Sequence, residues 1–143
     1  MLRLQLDNLE IFRQSLQRAT AKPGFYDSFY DNFTAESEEI AAFFRNRDMP
    51  QLKAKLNNTL KMVAEFAEGK PGIGLYIEML GRTHRRLNIQ RRHFTMWEHA
   101  LLETVREYDE AYDKQVLAAW LLVIDMVIGR IFATLDEVEK AAY

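Results

Sequence analysis

Apolar residues recur along this chain at intervals of three and four positions, the spacing of one face of an α-helix. Phe25, Phe29 and Phe33, for example, lie four positions apart. The other predicted inner faces are Leu9, Phe12 and Leu16; Ile40, Phe43 and Phe44; and Leu52, Leu56, Leu60 and Val63. We find no run of alternating apolar and polar residues between turn signals, as a half-buried strand would show. The pattern predicts an all-α fold of about seven unequal helices.

Polar residues and prolines mark where the predicted helices begin. Asp7 with Glu10 predicts an N-cap and its reciprocal acceptor at the first helix. Pro23 suits the first turn of the second helix, since proline is favoured there. Asp48 and Pro50 together predict the start of a fourth helix.

The clearest break in the pattern is Lys70-Pro71-Gly72-Ile73-Gly74, where glycine and proline alternate with other residues. The fourth helix is expected to end just before it, near Gly69. After the break we expect helices over about residues 75–87, 91–108 and 113–140. The last two carry Trp97 and Trp120, on faces that are either core or a homodimer interface.

Length and composition narrow the class of protein. With 143 residues, the chain is expected to form a single domain over 1–143. It has no cysteine, which excludes a disulfide framework, an iron–sulfur cluster, a thiolate nucleophile and the thioether attachment of a bilin. Its net charge of −2 gives no support for nucleic acid as a partner.

The apolar runs are short for a membrane protein. The longest uncharged one, Val116 to Ile124, has nine residues and ends at Asp125, whereas a membrane span needs about 20. The first ten residues contain no uninterrupted apolar core of the kind found in signal peptides. We therefore expect no membrane span and a cytoplasmic location.

One histidine shares a helical face with aliphatic residues. The face consists of Ile77, Leu80, His84 and Leu87. Apolar surroundings favour the neutral imidazole, the form that binds a metal ion. A core histidine bonded to a backbone carbonyl is the alternative. His93 and His99 are too scattered to complete a zinc site, but one inward imidazole is what a haem iron uses on its proximal side.

Two segments then point to a family. FYDNFTAESEEIAAFF (Phe29–Phe44) places a tyrosine 14 residues before a phenylalanine, and LGRTHRRLNIQRRHF (Leu80–Phe94) places an aliphatic residue five and an aromatic ten positions after the histidine. In these segments the chain resembles the globins, specifically the bacterial single-domain and sensor globins. The resemblance extends from about Leu6 to Leu135. It implies a globin fold that holds a b-type haem (iron protoporphyrin IX).

The resemblance also assigns roles to residues. It implies that His84 is the iron ligand and that Leu80, Ile89 and Phe94 line the proximal side. It implies that Tyr30 is the distal tyrosine and that Phe44 stacks on the haem. Tyr26 is a second candidate for the distal tyrosine, and Phe43 competes with Phe44.

The register of the fourth helix over the haem is left open by the resemblance. The favoured phase places Leu52 at the distal position, Leu56 one turn deeper, and Lys55 near a haem propionate. A shift by one residue would bring Gln51 over the iron but would bury Lys55. A phase in which Lys55 itself faces the iron would bury Lys55 as well. Burying the charge of a lysine is costly in free energy. Two roles stay open for Met49, Leu60, Val63 and Phe66: they either line the wall of the haem pocket or pack between helices.

Several polar residues near His84 have two interpretations. The basic residues that would flank the haem propionates are Arg82, Arg85, Arg86, Arg91 and Arg92, with Lys53 and Lys55. Solvated helix ends, where cations are favoured, are the alternative. Thr83 would donate to a propionate or to the surroundings of the imidazole. Asp125 is either a partner of the His84 ring N–H or an exposed or paired carboxylate.

The resemblance implies reversible binding of O₂, with CO and NO as further ligands, in gas sensing or oxygen handling. With Leu52 at the distal position, Tyr30 would be the main donor to the ligand. A hydrogen bond to a charged partner contributes about 1.5–3 kcal/mol. A nitric oxide dioxygenase or peroxidase-like enzyme with an external reductase is one alternative, and a haem-free globin-fold interaction domain is another. A sensor would need either a separate output partner or a longer protein from which this domain is excised.

Overall fold

The computed structural model describes the backbone of residues 6–141, and this part of the chain consists of helices and their connections. The helices are α1 Leu6–Thr20, α2 Phe25–Thr34, α3 Glu38–Phe44, α4 Met49–Ala67, α5 Ile73–Arg86, α6 Arg91–Tyr108 and α7 Lys114–Ala141. The predicted all-α fold with about seven helices is therefore confirmed over the described residues. The predicted bounds of α6 are the observed ones.

The start of α4 follows the predicted capping chemistry. Asp48 is the N-cap, and its Oδ1 accepts a hydrogen bond from the Gln51 N–H at 3.3 Å. Pro50 lies in the first turn, where a helix has no need of its missing N–H. The helix ends at Ala67, two residues before Gly69, as expected.

Two predicted helix starts are wrong. Asp7 lies inside the first turn of α1, not at its N-cap, since α1 already includes Leu6. A carboxylate is still favourable there, because the helix dipole is positive at this end. Pro23 lies outside α2, which begins at Phe25. The N-cap of α2 is Gly24 with φ 91°, a left-handed conformation that glycine adopts without a steric penalty.

Helix α5 begins and ends earlier than predicted. It starts at Ile73, directly after its N-cap Gly72, and its last residue is Arg86. Leu87 is therefore the C-cap, and it is 55% exposed. The prediction that Leu87 shares the inward face of His84 is wrong, because the helix ends before that residue.

The core is built around α7, which packs against α5 and α1, while α6 packs against α2. Trp120 of α7 is fully buried with its ring centroid 4.8 Å from that of Phe12, and its indole N–H donates to Ser15 at 2.8 Å. The core interpretation of Trp120 is thereby confirmed. The buried face of α7 comprises Val116, Ala119, Trp120, Val123, Ile124, Val127 and Ile131.

Within the described residues, one stretch is long and apolar enough to cross a membrane: Lys114–Thr134 of α7, with a mean hydropathy of 2.1. The core-facing residues of α7 supply much of this apolarity. In this fold the stretch acts as a packing helix, as it places Trp120 and Ile124 at the centre of the core.

Helices α5 and α7 approach each other closely at a glycine. A Cβ atom at Gly81 would lie 3.3 Å from Cγ2 of Ile131 and 3.6 Å from its carbonyl oxygen. Because glycine has no side chain, the two backbones pack directly at this point. This contact lies one turn before His84 and fixes that turn of α5 against the core.

Candidate haem site

His84 lies in the last turn of α5, is partly buried, and uses one of its ring nitrogens within its own helix. The distance from Nδ1 to the Leu80 carbonyl oxygen is 2.7 Å. A carbonyl can only accept, so Nδ1 carries the proton and Nε2 of the neutral ring carries the lone pair. No described residue bonds to Nε2 in this structure. This arrangement is expected of a core histidine, and it is also the one that orients a metal-binding imidazole.

The predicted proximal residues are brought together around this ring. The centroid of the Phe94 ring lies 5.5 Å from that of His84, and Phe94 also packs edge-on against Phe132 at 5.7 Å. Leu80 and Ile89 are partly buried against the core. The Ile89 N–H donates to the His84 carbonyl at 2.9 Å, and this backbone bond holds the turn that follows α5.

Tyr30 of α2 is the polar residue predicted for the distal side, as His84 is for the proximal side. It is 7% exposed, and its hydroxyl donates to the Leu52 carbonyl of α4 at 2.9 Å. Burial raises the pKa of Tyr30 to about 12, so the phenol keeps its proton. Its ring lies 5.6 Å from the ring of Phe44. The structure thus brings Tyr30, Phe44 and Leu52 together, as the resemblance implies.

Tyr26, the second candidate for the distal tyrosine, points elsewhere. Its hydroxyl donates to Oδ1 of Asn57 at 2.8 Å. The pair lines a cleft of about 270 Å³ that also includes Leu16 and Thr20 of α1. This position supports Tyr30 over Tyr26 as the residue that faces Phe44.

Phe43 and Phe44, the two candidates for the residue that stacks on the haem, also differ in their surroundings. Phe43 is partly buried, with the Arg47 guanidinium 4.9 Å from its ring centroid and the Phe44 ring at 5.2 Å, and it is not among the side chains packed against the core. Phe44 instead packs against Tyr30 and, at 5.5 Å, against Phe33. The geometry therefore supports Phe44 as the stacking residue.

Helix α4 turns the favoured residues inward. Leu56 is buried and Leu52 partly buried, whereas Gln51 and Lys55 are exposed. This orientation of α4 supports Leu52 at the predicted distal position, with the exposed Lys55 at the edge of the site. The residues left open in the sequence divide: Leu60 and Val63 are buried core, Phe66 is partly buried against that core, and Met49 is exposed.

Some of the basic residues already have partners. Lys53 pairs with Asp27 at 2.5 Å, Arg91 pairs with Asp136, and Arg92 pairs with Glu39 at 2.8 Å. The exposed side chains of Arg82, Arg85 and Arg86 have no carboxylate partner among the side chains that the structure describes. Their role toward a propionate stays a prediction.

Thr83 and Asp125 have other partners than His84. The Thr83 hydroxyl is exposed and donates to the Met79 carbonyl at 3.0 Å, so its role toward a propionate stays a prediction. Asp125 is exposed and lies beside Glu98. Burial, together with this neighbour, raises the pKa of Glu98 to about 7. Asp125 is thus an exposed carboxylate, which agrees with the second of its two predicted interpretations.

The comparisons with known proteins agree with this geometry. The family model described as Globin matches residues 27–131. The chain belongs to the globin family. This globin is 30% identical over 125 residues to the anaerobic nitrite reductase AHB2 of Arabidopsis thaliana, an alignment that covers 82% of this chain and 73% of the plant protein.

A solved structure extends the likeness to nearly the whole fold. It is that of a Pseudomonas aeruginosa PAO1 protein described as structurally highly homologous to a human hemoglobin. The TM-score is 0.84 at 31% identity, and the match covers 89% of this globin and 97% of the other chain. Globins typically hold haem and bind diatomic gases, so the fold and the cofactor class agree.

The residues of this globin fit a haem. A lone pair at Nε2 of His84 has no protein partner among the described residues, and such a nitrogen is an iron ligand. Leu80, Ile89, Phe44 and Leu52 are apolar yet only partly buried, so their hydrophobic surface is available to a flat apolar ring.

Sequence reasoning dismissed His93, and the structure gives it a defined place. His93 is 7% exposed and bonds through both ring nitrogens, to the Gln90 backbone and to Glu39. One signal was available, since Gln90 stands three residues before His93 at a helix start, the spacing of a reciprocal cap. Its bond to Glu39 joins residues 54 positions apart and had no local signal.

Proposed function

We propose that this globin holds a b-type haem through Nε2 of His84 and binds O₂ reversibly, with CO and NO as alternative ligands. The observation that carries the proposal is the bond from His84 Nδ1–H to Leu80, which leaves the second nitrogen free to coordinate. When bound, the haem would supply a ferrous iron with one position open to a diatomic gas.

The proximal residues hold the imidazole in one orientation. The Leu80 carbonyl fixes the tautomer and the ring plane, and Phe94 limits rotation from the other side. Ile89 and Leu80 add partly buried apolar side chains on either side of His84 in the sequence. The ring therefore loses little rotational freedom when it binds iron, which favours coordination.

On the distal side, Tyr30 acts as a donor that must change partners. Its O–H now donates to the neutral Leu52 carbonyl, a bond of about 0.5–1.5 kcal/mol, and a partly negative gas ligand would offer about 1.5–3 kcal/mol. The middle values of these two ranges differ by about 1–1.5 kcal/mol, and this net gain corresponds to about a five- to tenfold increase in affinity. Leu52 itself contributes no donor.

We further infer a role in gas sensing or oxygen handling by a single domain in the cytoplasm. Membership of the globin family and the likeness to a hemoglobin-like bacterial structure support handling of a diatomic gas. A sensing role requires an output element that responds to the ligand, either in a separate partner or in a longer chain of which these residues form one domain. A homodimer through α6 and α7 stays a prediction.

The test is an absorption spectrum of the hemin-reconstituted protein, reduced and then exposed to O₂ and to vacuum. We expect a strong Soret band with one haem per chain, and spectral changes that reverse on removal of O₂. His84→Ala should abolish normal ligation. His99→Ala is the matched control, because His99 is exposed and bonds to Glu36 away from this site. Failure of the unsubstituted protein to take up hemin would overturn the proposal and favour a haem-free interaction domain.

A second candidate function is the one-electron reduction of nitrite, favoured by the likeness to the plant nitrite reductase. The reaction would consume one electron, which a bound ferrous haem would supply, and two protons, and it would release nitric oxide and water. The Tyr30 O–H is the proton-bearing group nearest Leu52 on the distal side. Nitric oxide formed anaerobically from nitrite in excess of the haem, with dithionite as reductant, would support it. Nitric oxide dioxygenase or peroxidase-like turnover needs a reductase in the same assay and stays an alternative.

A further inference from the structure

We propose that His93 is a positioning residue that clamps the corner between α5 and α6 to α3 and thereby sets the orientation of Phe94 against His84. The inference rests on the proposed role of His84 as the iron ligand. It concerns a residue that does not itself contact the haem-facing nitrogen.

The bonds of His93 define its protonation. The Gln90 backbone N–H donates to Nδ1 at 2.8 Å, so Nδ1 carries a lone pair. Nε2 then carries the proton and donates to Oε1 of Glu39 at 2.5 Å. His93 and His84 are thus opposite tautomers, and of these two residues His84 alone has a ring nitrogen without a partner among the described residues.

Glu39 is held as the acceptor for this bond. The bond from His93 and the two bonds from Nη2 of Arg92, at 2.9 and 2.8 Å, lower the pKa of Glu39. Arg92 also donates to the side chain of Gln90. The four residues form a closed cluster, which we call the corner clamp: Glu39, Gln90, Arg92 and His93.

The corner clamp connects to the haem site through adjacent residues. Gln90 follows Ile89, whose N–H bonds to the His84 carbonyl, and His93 precedes Phe94, whose ring packs on the His84 ring. Five residues beyond Glu39, α3 ends at Phe44. The clamp therefore ties the segment that carries the stacking phenylalanine to the corner that supports the iron ligand.

Burial explains why the clamp constrains the corner. His93 is 7% exposed, so breaking either bond leaves a buried polar group without a partner, which is unfavourable. The corner itself includes Asn88 at φ 60°, a conformation that non-glycine residues seldom adopt. The clamp bonds and the packing of Phe94 on Phe132 hold this turn in place.

The test uses the iron–histidine stretching band of the reduced, ligand-free haem protein, measured by resonance Raman spectroscopy. His93→Phe should shift and broaden this band, because the corner loses both bonds. His93→Gln should retain it, since a glutamine offers one acceptor for Gln90 and one donor for Glu39. His99→Phe, also on α6 and paired to Glu36, is the matched control and should leave the band unchanged.

A second measurement does not need the cofactor. Glu39→Ala changes a half-exposed side chain and leaves the buried core intact, so it serves where His93→Phe does not fold. In the apoprotein, we expect this variant to shift the ring resonances of His84 by NMR, because Phe94 moves relative to them. The ¹⁵N shifts of His93 in the unsubstituted protein should show the Nε2–H tautomer.

The outcomes separate the two proposals. An unshifted His84 resonance and an unshifted iron–histidine band in Glu39→Ala would overturn the positioning role of His93, whatever the cofactor. A protein that takes up no haem but shows the His84 shift would leave the clamp standing and overturn only the haem proposal.

Discussion

The proximal and distal sides of the site use their single polar groups in opposite ways. On the proximal side, His84 donates within its own helix to Leu80, and its Nε2, the proposed iron ligand, has no partner among the described residues. On the distal side, Tyr30 donates across to α4, and the donor that would serve a ligand is already engaged by Leu52. His84 would thus bind a metal ion without breaking a hydrogen bond, whereas Tyr30 must break its bond to Leu52 before it donates to a ligand.

This difference explains where each kind of sensitivity should appear. Proximal substitutions act on a packed arrangement of rings and are expected to change stability and haem retention. Distal substitutions act on an exchange between two hydrogen bonds and are expected to change ligand kinetics by modest factors, since only the difference between the bonds counts.

The largest expected effect is on the proximal side, in Phe94→Ala. Phe94 is 8% exposed and supports both His84 and Phe132, so truncation should lower the free energy of unfolding by about 3–5 kcal/mol. Urea unfolding of the apoprotein measures this. Phe43→Ala should lower it less, because this partly buried ring contacts Phe44 and Arg47 but is not packed against the core. Equal losses in the two variants would contradict the packed proximal arrangement.

The next effect is on the distal side, in Tyr30→Phe. Loss of the phenol O–H should raise the O₂ dissociation rate about five- to tenfold, since the net gain is about 1–1.5 kcal/mol. Stopped-flow displacement of O₂ by CO measures the rate. Tyr26→Phe, whose hydroxyl serves Asn57, is the control and should leave the rate unchanged. A faster rate in the Tyr26 variant alone would transfer the donor role to that residue.

A smaller effect sharpens the comparison by adding a donor. Leu52→Gln places an amide at the distal position, and one further hydrogen bond of about 1 kcal/mol should slow O₂ dissociation about fivefold. Leu52→Met, of similar volume but without a donor, is the control. An unchanged rate in the glutamine variant would show that residue 52 does not face the ligand.

The smallest effect is an expected absence of pH dependence. Burial raises the pKa of Tyr30 to about 12, above the ordinary value of about 10 for tyrosine. The neutral donor form therefore persists below about 12, and the O₂ dissociation rate should stay level from about pH 7 to 10. A rise in the rate near pH 9 would indicate that the phenol ionises early and that its surroundings are wetter than the structure shows.

The sequence predicted best where a local pattern decides the structure. The apolar spacing gave seven helices, and the capping residues Asp48 and Pro50 gave the start of α4. The predicted helix ends at Asp7, Pro23 and Leu87 were wrong. The same types of residue are also found one or two positions inside or outside a helix end, so the sequence does not fix the exact terminal residue.

For the candidate site, the sequence predicted which residues come together but not their hydrogen bonds. His84, Phe94 and Ile89 lie within one short segment, so their proximity followed from spacing. The acceptor of the Tyr30 hydroxyl did not, because Leu52 offers a backbone carbonyl, which every residue carries. The bond from His93 to Glu39 depends on the packing of α3 against the corner, which no local pattern reports.

The contact between Gly81 and Ile131 bears on how far this protein tolerates change. A methyl group at position 81 would press on an isoleucine 3.3 Å away, so either α5 tilts outward or Ile131 yields. Residues one turn apart in a helix move together, so the imidazole of His84 would move with Gly81. The position of the proposed iron ligand therefore depends on a residue that has no side chain, and Gly81→Ala is the conservative replacement that would shift it.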